Sequence, residues 1–386
     1  MNLKKLPILE TLTTIFIIFG ATTVLYLYTQ GYRLNKKNDN TVEIAKMGMI
    51  SAKSIPDGAT VYLDEKIRTA TNDTISGVKP GKHALKIVKK GFVEWNKEIE
   101  VYEELVTDIT AVLVSQSPRL EPLTNTGAKN TTLSNGAEKI AFVTNDDDKP
   151  GIWIIQIGGS SFNIFQPDAK AALKDTKFVK YSQAQEIIWS PDDKNILVKG
   201  TNDVYYYADL EKGVAETTSS PQLSTVEWQN KLATKRTTFV DKIDIPDNMR
   251  ATALSPKSVW APDQKKFLYT TQNGTQLEYK VYNLEKPIPV GEKVETTVFT
   301  TQADDPQPKL VWYPDSFHLI MVEGDVLKEN KGTISLIRID GSNKTEIYNN
   351  TLHSDQVFTV PSGDRLIILT SFKSQGQTDL YSVSIR

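Results

Sequence analysis

The chain has 386 residues, 39% of them hydrophobic, with 45 basic against 47 acidic side chains and a formal net charge of -2. That length and apolar content leave room for two or three domains with real cores and exclude a disordered chain. Near-neutral charge offers no field for nucleic acid, and the lack of cysteine excludes disulfides, thiolate catalysis and cysteine zinc sites.

The N-terminus reads as an anchor. No charged residue occurs between Glu10 and Arg33, and roughly 20 helical residues cross a hydrocarbon core of about 30 Å. Tyr26, Tyr28 and Tyr32 gather at one end, where amphipathic rings favour the interface, and Lys4 and Lys5 precede the other. No small-residue cleavage site follows Val24, which favours an uncleaved anchor over a signal peptide or a buried helix. Residues 1–10 then form a short cytoplasmic segment, 11–32 the transmembrane helix and 33–46 a polar stalk. Lysines and arginines on both flanks barely set the orientation. The large C-terminal body favours export beyond the bacterial cytoplasmic membrane.

Alternation replaces the apolar run after Met47. Ile50, Ala52, Val61 and Leu63 lie in short strand-like segments broken by Pro56-Asp57-Gly58. A second turn at Pro80-Gly81 precedes Ala84, Leu85, Ile87 and Val88, and Trp95, Ile99 and Val101 continue the pattern. The stretch reads as an all-β module of about seventy residues. Its phrases Pro56-Asp57-Gly58-Ala59, Val61-Tyr62-Leu63-Asp64, Pro80-Gly81-Lys82-His83 and Lys90-Gly91-Phe92, with Trp95, resemble the PEGA domain over residues 47–114. Asp57 stands for the family's Glu, and Glu65 stands where many members carry Gly. The resemblance implies a small β-sandwich of bacterial surface and envelope proteins, with no catalytic residues.

Three later segments repeat one phrase: "WSPDDKNILV" from Trp189, "WAPDQKKFLY" from Trp260 and "WYPDSFHLIM" from Trp312. Each reads as strand, Pro-Asp turn and strand, with a third strand following at Asp203, Leu277 and Ile334. Weaker copies at Leu133 and Thr359 keep the turn and lose the tryptophan, and Trp228 marks a doubtful sixth unit. Intervals of roughly thirty to fifty-five residues suit four-stranded propeller blades, giving five or six blades over residues 115–386. One blade is expected to be completed by a strand from before Leu133, near Arg119–Asn125. The Trp-x-Pro-Asp phrases resemble those of TolB-like propellers, a WD-repeat-like architecture, and the propeller halves of some oligopeptidases. There the phrase is structural, which the resemblance carries onto Trp189, Pro191, Asp192, Trp260, Pro262, Asp263, Trp312, Pro314 and Asp315.

Chemistry-bearing patterns are sparse. His83, His318 and His353 are scattered, and neither His-x-x-x-His nor Gly-x-Ser-x-Gly occurs. Asp146, Asp147 and Asp148 form the most acidic cluster; a cation loop is conceivable, but the spacing favours a solvated hairpin tip. Tyr205–Tyr207 reads as one strand showing rings to both faces rather than a carbohydrate platform, and "GGSS" from Gly158 as a loop rather than a phosphate cradle. Inner-strand candidates such as Ile187, Ile188, Val259 and Val311 are apolar. The expectation is an all-β, non-catalytic protein without cofactor or nucleic-acid partner, joined to the membrane by its N-terminal helix and binding a protein or cell-envelope polymer. The alternative is a hydrolase or carbohydrate-active protein with its site in the propeller channel.

Overall fold

The computed structural model describes residues 6–29, 32–36, 42–146, 148–157, 169–371 and 376–386. Contacts divide the chain into two units. One comprises Met1–Lys90, Glu94–Leu113 and Pro287–Glu292; the other comprises Gly91–Val93, Val114–Lys286 and Lys293–Arg386.

Helix α1 (Leu6–Thr29) leaves Phe16, Ile17 and Phe19 largely exposed instead of packing them into a core. Thr14, Thr22 and Thr23 turn their hydroxyls back to carbonyls four residues earlier, at 2.7, 2.7 and 2.8 Å. Polar side chains that bond their own helix in this way do not prevent burial in lipid. The stretch Glu10–Thr29 is long and apolar enough to span a membrane, a test that a signal sequence also passes. Strands β1 (Tyr32–Lys36) and β2 (Val42–Lys46) pair antiparallel, so most of the segment expected as a stalk is a two-stranded ribbon.

Seven strands follow: β3 (Gly48–Ile55), β4 (Thr60–Leu63), β5 (Lys66–Ala70), β6 (Asp73–Val78), β7 (Gly81–Val88), β8 (Trp95–Val101) and β9 (Val106–Val112). They make two sheets, in the orders β6-β3-β9 and β5-β4-β7-β8. Period-two alternation decides which side chains are inside: Ile50, Ala52, Val61, Leu63, Leu85, Ile87, Trp95, Ile99 and Val101 are all buried. Asp64 and Glu65, between β4 and β5, have φ of 51° and 65°. A two-residue hairpin of the I′ type demands positive φ at both positions, which explains the glycine of the PEGA pattern there.

The second unit holds five four-stranded antiparallel sheets among the described residues. Strand β10 (Leu120–Pro122) precedes them. The first sheet is β11 (Lys129–Leu133), β12 (Lys139–Thr144), β13 (Gly151–Gln156) and β14 (Ala169–Lys174). The second is β15 (Glu186–Trp189), β16 (Asn195–Lys199), β17 (Tyr205–Asp209) and β18 (Val214–Thr218). After helices α2 (Pro221–Val240) and α3 (Asp247–Leu254), the third comprises β19 (Val259–Trp260), β20 (Lys266–Asn273), β21 (Gln276–Asn283) and β22 (Glu295–Gln302). The fourth is β23 (Lys309–Trp312), β24 (His318–Glu323), β25 (Lys331–Arg338) and β26 (Thr345–Thr351), with the short helix α4 (Val326–Glu329) inserted. The fifth runs β27 (Phe358–Thr359), β28 (Arg365–Thr370), β29 (Asp379–Ser384) and then β10.

Leu120 lies opposite Val383 and Pro122 opposite Tyr381, so the strand preceding Leu133 does complete the last sheet, on its outer edge. Arg365 Nη1 bonds Glu121 Oε2 at 2.7 Å, and Asp379 Oδ1 accepts Thr124 Oγ1 at 2.8 Å and the Gly127 N–H at 3.0 Å. Neighbouring sheets share cores. Ile140, Phe142 and Ile155 of the first pack with Ile367, Leu369 and Leu380 of the fifth. The other side of the first sheet, with Ala141, Val143 and Ile152, packs with Ile187, Trp189 and Ile196 of the second. Leu268 and Val281 of the third meet Trp312, Leu319 and Ile337 of the fourth. Serial four-stranded meanders stacked face to face, the last closed by an N-terminal strand, define a β-propeller architecture.

The doubtful unit at Trp228 is not strand. It lies in α2, which opens with Pro221 at its first turn and carries a Glu227–Lys231 pair at 2.6 Å. Proline at that position and such an i,i+4 pair both favour helix. Trp228 packs on Tyr207 of the second sheet, ring centroids 5.9 Å apart. Val240, Met249 and Ala253 of the helices pack with Phe267, Tyr269 and Tyr282 of the third. The helical pair thus touches both sheets between which it falls in the chain.

Candidate functional site

The repeated turns set the geometry from which the loops project. In all five hairpins the residue four beyond the strand's end position has positive φ: Ala137, Asp193, Gln264, Ser316 and Gly363. Its N–H bonds the carbonyl three residues back, at 2.9, 3.0, 2.9, 3.1 and 2.8 Å respectively. Degenerate copies therefore keep the full turn. In the tryptophan copies the aspartate holds the bend: Asp192, Asp263 and Asp315 accept the N–H groups of Lys194, Lys265 and Phe317.

Each tryptophan reaches backward. Trp189 Nε1 donates to Thr132 O at 3.4 Å and Trp312 Nε1 to Val259 O at 2.8 Å, both in the preceding sheet. Trp260 Nε1 donates instead to Ala253 O of α3, at 3.1 Å. The helical pair thus offers the third sheet the backbone acceptor that a preceding sheet offers the others. The positive-φ residues also reach back: Asp193 accepts the N–H groups of Asn135 and Gly136 at 2.8 and 2.7 Å, and Ser316 Oγ accepts that of Asp263 at 3.0 Å. The contacts agree with a structural role for the three tryptophans and three aspartates of the phrases.

The three histidines sit in three separate hydrogen-bonded settings. His83 Nδ1 lies 2.7 Å from Asp64 Oδ2 and its Nε2 the same distance from Lys79 O. His318 Nδ1 meets Asp315 Oδ2 at 2.7 Å, with the ring buried and Nε2 unpartnered. Burial raises the Asp315 carboxyl, but the adjacent His318 and two backbone N–H groups outweigh it and hold the group below its ordinary value. This Asp-His pair resembles part of a catalytic dyad, yet a ring 1% exposed offers no approach to a substrate. His353 bonds Asn330 Oδ1 at 3.2 Å and Ser371 Oγ at 3.1 Å, and burial pushes its pKa down. Lys266, wholly buried, bonds Asp263 Oδ2 at 2.9 Å, lies 3.3 Å from Glu285 Oε2 and stands 4.1 Å over the Phe317 ring of the next sheet. A buried cation held by two carboxylates and a ring is a structural clasp.

Asp146 and Asp148 sit in the β12–β13 connection; Asp147 lies outside the described residues. Asp146 Oδ1 accepts the N–H groups of Asp148 and Lys149 at 2.7 and 2.9 Å, as a carboxylate does when it shapes a hairpin tip. Among the described residues no group of three His, Cys, Asp or Glu stands in metal-holding geometry. Tyr206 packs edge-on to Tyr181 on one face of β17 and Tyr207 meets Trp228 on the other, as the alternation predicts. Gly158–Ser161 lie outside the described residues.

The hairpin tip borders a cleft of about 560 Å³. Three connections build it, with Asn125, Thr126 and Gly127 after β10, Asn145, Asp146 and Asp148 after β12, and Gly376, Gln377 and Thr378 before β29; Lys129 of β11 and Val143 of β12 complete its described lining. The loops are held by the closing contacts. Gln377 Nε2 donates to Asn125 O at 3.1 Å and Asp379 Oδ2 at 2.9 Å, and Thr378 Oγ1 to Ala128 O at 2.6 Å. Sequence reasoning singled out the acidic tip and missed the amide and hydroxyl partners, which are remote in the chain and meet only because β10 joins β29.

Comparison with known proteins places a PEGA domain at residues 47–117. No curated protein matches the chain. Among solved structures, TolB from Acinetobacter baumannii is similar at 13% identity, over 79% of this chain and 60% of that one, with a TM-score of 0.24. The oligogalacturonate lyase from Vibrio parahaemolyticus is 10% identical over 79% and 86%, with a TM-score of 0.31. The β-propeller domain of the Trilobed protease from Pyrococcus furiosus is 11% identical over 88% and 83%, at 0.22. The chain thus spans less than two thirds of the length of the first of these. The architecture itself rests on the strand pairings above.

Proposed function

We propose that the protein is a non-catalytic binding or scaffold protein of the bacterial cell envelope. Helix α1 holds it in the cytoplasmic membrane, and both β units lie on the extracytoplasmic side. The propeller meets a protein or an envelope polymer there, through the cleft at the sheet closure.

One observation carries this reading: the polar side chains in the described lining of that cleft are amides, hydroxyls, one lysine and two carboxylates, beside Val143 and two glycines, with Asp146 already committed to backbone N–H groups. Amides and hydroxyls both donate and accept, which suits sugar hydroxyls or peptide groups. Activation of a nucleophile calls for a base aligned on it, and the described lining residues include no serine, cysteine or histidine. A photo-crosslinking amino acid at the exposed Asn145, in the full-length protein in its native membrane, tests the reading. A discrete adduct is expected there and not at Glu216 on β18; turnover of a peptide or glycan by the purified protein without any adduct would favour an enzyme.

A further inference from the structure

The connection between β14 and β15 is built more firmly than a surface loop needs to be. Asp175, its side chain 7% exposed, accepts the N–H and hydroxyl of Ser182, both at 2.8 Å, and donates its own N–H to Pro150 O at 3.0 Å. Thr176 N–H bonds Val179 O at 2.8 Å, and Thr176 Oγ1 accepts the N–H groups of Phe178 and Val179 at 3.2 and 2.9 Å. Val179 turns inward against the core shared by the first and second sheets. Phe178 turns outward and is 94% exposed, the largest exposure of any large hydrophobic side chain among the described residues.

Lys174, Lys177 and Lys180 flank it in the chain and are all exposed. Asp175, the one carboxylate of the segment 174–180, has a side chain only 7% exposed and pairs with Lys180 at 3.7 Å. In a chain whose net charge is -2, three exposed lysines beside a rigidly presented phenyl are a local feature. It matches an anionic surface that is apolar just beneath its charge: the ring enters the headgroup boundary while the ammonium groups stay with the phosphates. An acidic peptide would answer the charges without requiring a bare ring. Helix α1, as an anchor, tethers the chain to a bilayer, which raises the effective concentration of such a surface.

We propose that Phe178, with Lys174, Lys177 and Lys180, is a second contact with an anionic membrane surface. The proposal rests on α1 being a membrane anchor. The chain has no cysteine, so Phe178→Cys in the full-length protein takes a single environment-sensitive NBD label. The labelled protein is placed in nanodiscs of phosphatidylcholine, with or without phosphatidylglycerol. The label is expected to brighten and shift to the blue in the phosphatidylglycerol discs, and brominated acyl chains should quench it. A label at Leu327, itself 73% exposed on α4, should not respond. Each lysine near an anionic surface is worth about fivefold, so Lys177→Glu with Lys180→Glu should cut the bound fraction at least about tenfold. Protein recovered with the discs but carrying an unshifted label overturns the proposal alone, as does brightening that follows protein concentration rather than lipid. Protein not recovered with the discs overturns the anchor reading and the proposal with it.

Discussion

Glu65 shows most directly what one residue costs. Its φ of 65° is a conformation that disfavours any residue with a Cβ by roughly 1–2 kcal/mol, while glycine adopts it freely at some entropic cost in the unfolded chain. Glu65→Gly is therefore expected to stabilise the β4–β5 hairpin by about 0.5–1 kcal/mol, visible as a higher midpoint in urea. His353 makes a pH prediction. Its folded pKa is depressed by burial below the ordinary 6.5, so as pH falls the unfolded chain takes up the proton first. The stability contribution is complete above pH about 7, and is lost as pH falls through 6.5 toward the folded value. His353→Gln should flatten that limb of a stability-against-pH curve, read by chemical denaturation. Asp64 and Asp315 act lower on the scale. Both are depressed, Asp64 first by its bond to His83, so their contribution is present above pH about 4 and fails as pH drops through it.

At the scale of elements, the join between β10 and β29 decides whether the fifth sheet has four strands. The pairing spans three residues and is reinforced by Glu121–Arg365 and by Thr124 on Asp379. Deleting residues 119–125 should lower the thermal midpoint and expose the amides of Leu380 and Ser384, which bond Thr124 Oγ1 and Arg119 O, to rapid hydrogen exchange; unchanged protection would show that the strand is dispensable. The strand was legible as the run Arg119–Asn125 ahead of the first turn phrase at Leu133. The helical pair was less legible. Trp228 draws attention as a possible repeat tryptophan, but the Pro-Asp turn that follows Trp189, Trp260 and Trp312 is missing after it, while Pro221 and the Glu227–Lys231 pair are helix signals in plain view. Read together with Trp260 Nε1 on Ala253 O, α3 takes over part of a sheet's task with a different backbone geometry.

At the scale of the whole molecule, α1 is the feature that decides where the rest can act. As an uncleaved anchor it should keep the full-length protein in the membrane pellet through alkaline carbonate extraction, and removal of residues 1–31 should release the product; a mature protein that begins after α1 would identify a signal sequence instead. Much of the architecture follows from the amino-acid order alone. Period-two alternation fixes which side chains of β3, β4, β7 and β8 go inside, and the turn phrases at Trp189, Trp260 and Trp312 punctuate the meanders, because such patterns depend only on local backbone geometry. The proposed binding cleft is a different matter. Asn125, Asn145 and Gln377 are separated by up to 252 residues of chain, and none carries a local signal. They share a cleft because stacked sheets must close on one another to bury both faces, and that requirement acts only on the folded whole.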